Sequence, residues 1–402
     1  MIEPPGDTAP HSAVSNLPTP CYLYSAPSIR RQYARLAAAL PGYRVLYSLK
    51  ANPNPAIIAL LLEQGAGAEV SSRAELETAL AAGCTPEDLV YVAPAKPIET
   101  IRRTVEAGIH ALVCDCPEDL KMCEAAARET GRRVRLLLRI NTDEKPTGRE
   151  KMVGGPSKFG FDEEEVLEQA SGVRLRHCRI AGIQVYSSSQ VLDADYLASH
   201  FHYVADLALR LAAGLTFELE SVDFGGGFGL PYGREEAELD LGPVGAAAAE
   251  ARSRLPAHCR LLVESGRYLV AEAGLFLTRV VRVKRSRGRT IVITDGGMNA
   301  FSRPVVMRVQ HRVRLIARAA GPSDAPSPAL RPVDICGPIC TPIDCLARDV
   351  LLPEPAPGDI LGFENAGAYG FSMSLLGFMS LDAPTEHLLD GSQLRPLTPA
   401  RG

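Results

Sequence analysis

The chain has 402 residues, of which 46% are hydrophobic, and its formal net charge is −4. This length fits two domains better than one, and the apolar fraction is ample for two cores. A slightly negative net charge excludes a global basic field that would attract nucleic acid or an anionic membrane. The ten cysteines include no CxxC pair, which argues against a zinc ribbon or a thioredoxin-type site. Scattered cysteines of this kind suit the cytoplasm, so we expect a cytoplasmic protein.

The first 20 residues are rich in Pro, Ser and Thr and contain neither a basic segment nor an apolar one. We therefore expect a loose tail over residues 1–16 rather than a signal peptide. Along the rest of the sequence no apolar run approaches the ~20 residues needed to span a bilayer.

Short apolar runs then alternate with segments of helical spacing. After a first strand at 21–24 and a helix at 28–40, the pattern predicts strands at 43–49, 68–70, 89–92, 111–114, 134–141, 180–186, 221–224 and 261–264. Helices are predicted between them, for example at 55–64, 73–82 and 98–107. Eight strands alternating with helices indicate parallel βαβ units and favour an α/β fold with a (β/α)8 TIM barrel. An open, doubly wound sheet remains the alternative.

The alternation of strands and helices ends near residue 280, and the rest of the sequence predicts strands and turns with few helices. Strands are predicted at 289–294, 312–317, 333–336, 359–363 and 375–379, which indicates an all-β second domain, sandwich-like or barrel-like. A Pro/Ala/Ser-rich stretch at 319–332 is interpreted as a loop. The basic run at 282–289 is interpreted as an exposed hairpin turn rather than a nucleic-acid site.

Two motifs follow predicted barrel strands. Lys50 comes directly after the first strand of the barrel, where a partly desolvated lysine can form a Schiff base, although a surface lysine is the simpler interpretation. Three consecutive glycines, Gly225, Gly226 and Gly227, follow the seventh strand and would let backbone N–H groups approach a phosphate. This run fits neither the GxGxxG fingerprint nor a Walker loop.

Three further elements complete the pattern. Glu264 and Arg267 follow the last barrel strand, where they form either a surface ion pair or partners for a charged ligand. Cys340 lies in a Gly-Pro-Ile-Cys segment of the β region, and a thiol there can deliver a proton or stay inert. Tyr369 follows a Gly-Ala turn. Each signal is weak alone, but their order along the chain is informative.

That order resembles the type III pyridoxal phosphate (PLP) decarboxylases of the alanine racemase-like fold, which include the ornithine, arginine and diaminopimelate enzymes. The segments at 151–160, 295–298, 337–344 and 366–370 resemble a subgroup that includes a glutamyl-acyl-carrier-protein decarboxylase and exosortase-associated relatives. The resemblance implies that Lys50 carries PLP, that Glu264 meets the pyridine nitrogen and that Cys340 is a catalytic residue entering the partner subunit's site together with Asp344. The implied phosphate ligands are Ser189, Gly225, Gly226, Gly227, Arg267 and Tyr369.

Two departures from the ornithine and diaminopimelate enzymes concern the substrate. Tyr186 stands where those enzymes place a histidine that stacks on the cofactor ring. Thr341 stands where they place an acidic residue that meets the distal amine of the substrate, so a diamine-type substrate is disfavoured. Arg303 resembles the carboxylate-binding arginine of the diaminopimelate enzyme, although a surface charge is the other interpretation. We therefore expect Arg303, Thr341 and Asp344 to bind substrate, and we expect no metal.

The resemblance predicts a homodimer that decarboxylates an amino acid or a carrier-tethered aminoacyl group, with diaminopimelate decarboxylation as the alternative. A racemase of this fold usually places an arginine at the pyridine nitrogen, whereas this chain has Glu264. A PLP carrier would lack the second domain, and a decayed regulator would be expected to lose Lys50 or Cys340. We predict a PLP-binding domain over 27–275 and a β domain formed by 17–26 with 276–402.

Overall fold

The computed structural model describes residue 14 and residues 16–233, 236–319 and 329–397. The tail predicted at 1–16 lies almost wholly outside the described residues, as do residues 320–328 of the loop predicted at 319–332. In the described part of the chain, no helix is long and apolar enough to cross a membrane.

The strands, in chain order, are β1 (Cys21–Ser25), β2 (Tyr43–Ser48), β3 (Gly67–Val70), β4 (Leu89–Tyr91), β5 (Ala111–Cys114), β6 (Val134–Asn141), β7 (Glu150–Lys151), β8 (Phe161–Asp162), β9 (Cys178–Gln184), β10 (Ser188–Ser189), β11 (Ser221–Asp223), β12 (Arg260–Ser265), β13 (Gly274–Ser286), β14 (Arg289–Thr294), β15 (Val313–Ala317), β16 (Leu330–Cys336), β17 (Cys345–Pro353), β18 (Ile360–Phe363), β19 (Thr385–Asp390) and β20 (Gln393–Pro396).

The α-helices are α1 (Ala26–Ala39), α2 (Pro55–Glu63), α3 (Arg73–Ala81), α4 (Ile98–Ala107), α5 (Pro117–Thr130), α6 (Val166–Ser171), α7 (Ala194–Leu215), α8 (Leu241–Arg254), α9 (Arg267–Val270) and α10 (Arg303–Val306). Short 3-10 helices cover Leu49–Ala51, Pro86–Asp88, Phe371–Met373 and Phe378–Ser380. Local sequence sets several helix starts. Asp193, for example, caps α7 by accepting a hydrogen bond from the backbone N–H of Tyr196 at 3.0 Å.

Contacts between residues divide the chain into two units. Among the described residues, the barrel unit comprises Tyr33–Leu230 and Ala237–Gly266, and the β unit comprises 14, 16–32, 231–233, 236, 267–319 and 329–397. In the barrel unit, β2, β3, β4, β5, β6, β9, β11 and β12 pair in parallel, and pairing of β5 with β6 closes the ring. The predicted (β/α)8 barrel is therefore confirmed, and the open sheet is excluded.

The barrel strands contain almost continuous apolar runs because strands in a closed, helix-covered barrel are buried on both faces. One core cluster consists of Leu46, Val90, Val92, Ala111, Val113, Leu137, Ala181 and Leu262, none more than 5% exposed. Gly182 occupies a position without room for a side chain, since a Cβ there would lie 1.7 Å from the carbonyl oxygen of Ser221.

The β unit is built on a nine-stranded mixed sheet in the order β17-β16-β14-β13-β1-β19-β20, with β18 pairing to β13 and β15. The predicted all-β second domain is thus confirmed. The basic run at 282–289 lies in the exposed β13–β14 hairpin, with Ser286 opposite Arg289. Its turn is confined to Arg287 and Gly288, because Arg282–Ser286 already belong to β13.

Two secondary-structure predictions in the β unit were wrong. The segment 375–379 is not a strand: it runs through a turn into a 3-10 helix, and Met379 adopts a φ of +57° that breaks extended structure. The apolar run there is instead surface-exposed at Leu375, Phe378 and Met379. The predicted loop at 319–332 also ends too late, because β16 already begins at Leu330.

Candidate active site

The barrel unit gathers one group of predicted site residues at the carboxyl ends of its strands. Lys50 follows β2, Tyr186 follows β9, the glycines 225–227 follow β11, and Glu264 lies at the end of β12. Because the barrel strands run parallel, these ends share one face. Active sites of (β/α)8 barrels are built at this face, from the loops that follow the strands.

Lys50 is held in the barrel mouth by a buried carboxylate. Its Nζ donates a hydrogen bond to Glu69 Oε2 at 2.7 Å and lies 5.8 Å from the centroid of the Tyr186 ring. The Glu69 side chain is fully buried, whereas that of Lys50 is 37% exposed. Ser71 Oγ donates to the other Glu69 oxygen at 2.9 Å, which fixes the carboxylate. The lysine is thus oriented by a buried charge and still accessible to a ligand.

Two further carboxyls, Asp223 and Glu264, are buried side by side in the mouth. Glu264 Oε1 accepts a hydrogen bond from Gln184 Nε2 at 3.0 Å, and Asp223 Oδ1 accepts one from the backbone N–H of Gly225 at 2.9 Å. Glu264 Oε2 and Asp223 Oδ2 receive no hydrogen bond from a donor in the described residues. Burial raises the pKa of Asp223 to about 7. Burial, and then the charges of Asp223 and Glu69, raise the pKa of Glu264 well above its usual range.

This arrangement fits a cofactor with a protonated ring nitrogen. A cation brought to Glu264 Oε2 would satisfy the buried oxygen and relieve the repulsion between adjacent acids. An N–H donor on a pyridinium ring has this chemistry, so the observed site accommodates the PLP expected from the sequence.

The glycine run forms a cradle that side chains would fill. A Cβ on Gly226 would lie 1.9 Å from the Glu264 carbonyl oxygen, and Gly225 and Gly227 have φ angles of +63° and +97°. Only glycine fits such contacts and dihedral angles without strain. Next to this cradle, Ser189 lies in β10, which pairs with β7 and is buried. A ligand could therefore approach this backbone closely, and the contact of the glycines and Ser189 with a phosphate stays a prediction.

In the β unit, the guanidinium groups of two buried arginines lie close to two tyrosine rings. The guanidinium carbon of Arg267 lies 4.9 Å from the Tyr369 ring centroid, and that of Arg303 lies 5.7 Å from it and 5.1 Å from the Tyr232 ring centroid. Tyr369 has a φ of +56°, a strained conformation of the kind that clusters at functional sites. Burial, together with the charges of Arg303 and Arg267, lowers the pKa of His311 to about 3. The result is a buried cationic cluster suited to an anion.

The loop at 337–344 presents Cys340 and buries Asp344. Cys340 is exposed and Thr341 is half-buried, whereas Asp344 is only 3% exposed. Asp344 Oδ1 accepts the backbone N–H of Met298 at 2.7 Å, and Oδ2 accepts that of Ile339 at 2.8 Å. The carboxylate therefore holds the loop that carries Cys340. Its predicted contact with substrate stays a prediction.

The structure thus brings the predicted residues together in separate groups within each unit. Sequence reasoning missed three polar residues of the barrel mouth, namely Glu69, Gln184 and Asp223. The available signal was a charged or amide side chain inside an otherwise apolar strand, as in Gly-Ala-Glu-Val at 67–70. Within the described residues, no group of three or more His, Cys, Asp or Glu side chains is placed to hold a metal ion.

Comparisons with known proteins agree with this geometry. Residues 26–271 match the family model of the pyridoxal-dependent decarboxylases, pyridoxal binding domain. The chain is 34% identical to the L-glutamyl-[BtrI acyl-carrier protein] decarboxylase of Niallia circulans, over 92% of this chain and 88% of that protein. It is also 34% identical to the diaminopimelate decarboxylase of Pseudomonas aeruginosa, over 93% and 88% of the two chains.

A solved structure shows the same fold over nearly the whole chain. The diaminopimelate decarboxylase of Helicobacter pylori, complexed with L-lysine, superposes with a TM-score of 0.86 at 29% identity, covering 96% of this chain and 95% of that one. The family resemblance inferred from the sequence is therefore confirmed. On the barrel, its buried acids and these matches, the chain belongs to the family of pyridoxal-dependent decarboxylases, amino-acid carboxy-lyases whose cofactor is pyridoxal phosphate.

Proposed function

We propose that this protein decarboxylates an aminoacyl group tethered to a carrier protein. The observation that carries the choice of substrate is the loop at 337–344, which offers no free carboxylate to a distal ammonium. Thr341 contributes only a hydroxyl, and Asp344, the loop's one acid, has both oxygens occupied by backbone N–H groups. Burying an unpaired ammonium beside this loop would cost several kcal/mol. The carrier-acting relative from Niallia circulans supports the same choice.

The residues of the site have separable roles in this proposal. Bound PLP supplies the electron sink for the carbanion that loss of CO2 leaves on the substrate. Lys50 carries the cofactor, and Glu69 holds the lysine ammonium in the mouth when that bond is open. Glu264 would keep the ring nitrogen protonated, and Tyr186 would stack on the ring. Cys340 donates a proton to the α-carbon of the substrate after CO2 has left.

The anion-binding residues are assigned by charge. Gly226, Gly227 and Ser189 hold the cofactor phosphate through backbone and hydroxyl donors, and Gly225, whose N–H donates to Asp223, shapes the turn beside it. Arg267 and Tyr369 are the charged and aromatic contributors to phosphate binding. Arg303 supplies a cation for a substrate carboxylate or for the phosphate of a carrier arm.

Diaminopimelate is the second candidate substrate, because Arg303 suits its distal carboxylate and several diaminopimelate decarboxylases are 30–34% identical to this chain. The two functions are separated by measuring CO2 release from lysine, ornithine, diaminopimelate, glutamate and a carrier-loaded glutamyl group. We expect the highest kcat/KM for the carrier-loaded group. Efficient turnover of free ornithine or lysine would refute the argument from Thr341.

We also propose a homodimer in which Cys340 of one subunit serves the site of the other. Large apolar side chains that face solvent in the described chain support an interface, since exposed patches of this kind mark contact surfaces. Four of the ten such side chains lie in or near the segments that would approach the partner, namely Ile343, Leu375, Phe378 and Met379, with 42–57% exposure. Mixing inactive Lys50→Ala and Cys340→Ala variants should restore up to about a quarter of the activity, because half of the dimers then hold one intact site of two. No recovery despite confirmed subunit exchange would exclude the shared site.

Two remaining assignments are proposals as well. A cytoplasmic location is supported by the cysteines, all ten of which are free thiols in the structure. The functional domains are proposed to be a PLP-binding domain at 27–275 and a β domain formed by 17–26 with 276–402.

A further inference from the structure

His200, on α7, is a buried histidine whose two ring nitrogens both face acceptors. Nδ1 lies 3.0 and 3.1 Å from the two carboxylate oxygens of Glu144, and Nε2 lies 3.0 Å from the carbonyl oxygen of Phe224. The side chains of His200 and Glu144 are 2% and 9% exposed. A neutral imidazole has only one N–H, so it can satisfy only one of these contacts. The geometry fits an imidazolium, which donates through Nδ1 to the Glu144 side chain and through Nε2 to the Phe224 carbonyl oxygen.

This ion pair connects three segments that surround the glycine cradle. Glu144 lies in the segment at 142–160, His200 lies on α7, and Phe224 is the residue immediately before Gly225. The 142–160 segment also covers the strand that holds Ser189: β7 pairs with β10, and the backbone N–H of Arg149 donates to the Ser189 carbonyl oxygen at 3.0 Å.

Residues 188–191 also contact the glycine cradle directly. The backbone N–H of Val191 donates to the Gly227 carbonyl oxygen at 2.8 Å, and a Cβ on Gly227 would lie 2.3 Å from the Ser188 carbonyl oxygen. The backbone groups assigned to the phosphate thus belong to loops packed on one another. The buried charge of His200 and Glu144 ties the outer segment to the residue that begins the glycine run.

We propose that His200 and Glu144 form a charged clamp that positions the glycine cradle for the cofactor phosphate, with His200 in its protonated form. This inference rests on the proposed placement of that phosphate at Gly225, Gly226 and Gly227. His200 and Glu144 are positioning residues, because they act through the Phe224 carbonyl and the 142–160 segment rather than on the substrate.

The clamp makes cofactor affinity depend on pH. Burial opposes the charge on His200, but the Glu144 carboxylate and the Phe224 carbonyl raise the pKa of His200 above its usual value of about 6.5. Among the described residues, the titratable groups facing the ring are Glu144 and, from the same helix, Tyr196 at 6.4 Å between ring centroids. The clamp is therefore intact below the ordinary histidine pKa and is lost as pH rises through the raised one.

The test measures binding of pyridoxine 5′-phosphate to the full-length chain freed of cofactor, by calorimetry between pH 6.5 and 9. This probe has the ring and phosphate of PLP but no aldehyde, so bonding to Lys50 does not contribute. Loss of a buried charged hydrogen bond predicts that His200→Gln binds the probe about tenfold or more weakly at pH 7. Glu144→Gln should shift the pH at which wild-type affinity falls to a lower value, because the carboxylate that raises the pKa is gone.

A matched control exists on the same helix. His202 faces Glu250 at 3.6 Å, but those side chains are 38% and 71% exposed. His202→Gln and Glu250→Gln should leave probe affinity within about twofold of wild type, as expected for an exposed pair. Thermal unfolding of each variant separates weaker binding from a loss of stability. If His200→Gln does not fold, Glu144→Gln, which keeps the shape of the side chain, decides the question.

Two negative outcomes are distinguishable. Wild-type affinity and pH profile in both clamp variants, with or without lower thermal stability, would overturn the clamp. Gly226→Ala, which places a methyl group against the Glu264 carbonyl oxygen, should abolish probe binding if the phosphate sits in the cradle. If Gly226→Ala binds normally, the placement of the phosphate is wrong, whatever the clamp variants show.

Discussion

Replacing Glu264 with Gln tests the buried carboxyl at the end of β12 with little change in shape. Glu264 is 1% exposed, its Oε1 accepts a hydrogen bond from Gln184, and its Oε2 has no donor among the described residues. A ring N–H at Oε2 would form a charge-assisted hydrogen bond, worth about 1.5–3 kcal/mol. If this energy is felt in the transition state, Glu264→Gln should lower kcat roughly 10- to 150-fold.

The same variant should affect stability in the opposite direction. Burial raises the pKa of Glu264 above the value of about 4.3 that a glutamate has in an unfolded chain. The folded protein therefore holds this proton more tightly than the unfolded one, and stability falls as pH rises from about 4.3 toward the folded-state pKa. Gln cannot ionise, so this penalty disappears. The cofactor-free variant should be more stable than wild type at pH 8, with little difference at pH 4.

The assay combines three measurements on one preparation: kcat at saturating PLP, the fraction of chains labelled with pyridoxyl after borohydride reduction, and Tm of the cofactor-free protein at pH 4 and pH 8. We expect lower kcat, nearly full labelling and a higher Tm at pH 8. An unchanged kcat would remove Glu264 from the mechanism. A lower Tm at pH 8 would show that the carboxylate is stabilised by partners, contrary to the sign of its pKa shift.

Three further predictions follow from single residues. Borohydride reduction and peptide mapping should place the pyridoxyl label on Lys50, and a label on another lysine would reject the assignment. Asp344→Asn leaves a buried backbone N–H without an acceptor, so it should cost about 1–3 kcal/mol in unfolding free energy and reduce turnover through the Cys340 loop. A reduced kcat that survives at full stability would instead favour direct contact with substrate. Burial raises the pKa of Glu124, but hydrogen bonds from His177 and Cys178 outweigh it and lower the pKa to about 2. Glu124→Gln should therefore lower Tm at pH 7, and the difference should shrink as pH falls from about 4.3 to 2 and vanish below pH 2, where the wild-type carboxyl is protonated.

The barrel could be predicted from the sequence because its eight strands are short apolar runs separated by helices with clear stops, such as Gly108 after α4. The β unit was predicted only as a class. Its strands β17, β19 and β20 were not identified. For β19 the pairing depends on a partner distant in sequence, as in Cys21 opposite Thr385. In the described chain, β17 and β20 pair only with the strands that precede them, β16 and β19, at the two edges of the sheet. The strand predicted at 375–379 was wrong for a different reason: an apolar run alone does not distinguish a buried strand from an exposed patch.

The predicted site residues came from motif order and family resemblance, which identify groups that would touch the cofactor. Residues that act through another residue are harder to identify from the sequence. Glu69 is one charge in a four-residue strand, and its pairing with Lys50 becomes visible only when β2 and β3 are adjacent. His200 lies in the middle of a 22-residue helix, where its acceptors come from two distant segments. Tertiary geometry, rather than local pattern, assigns their roles.

The barrel mouth is arranged for a cation. Glu69, Asp223 and Glu264 bury three carboxyls with at most 1% exposure, and Lys50, paired with Glu69, is the cation whose charge acts on the other two. Buried acids of this kind cost stability, and apolar residues of similar size would pack there without that cost. Burial is the main cause of the raised pKa values of Asp223 and Glu264, and the neighbouring acids add to the rise for Glu264. In the proposed site a protonated ring nitrogen would supply a positive charge at Glu264, and these carboxyls would favour the charged form of the cofactor on which decarboxylation depends.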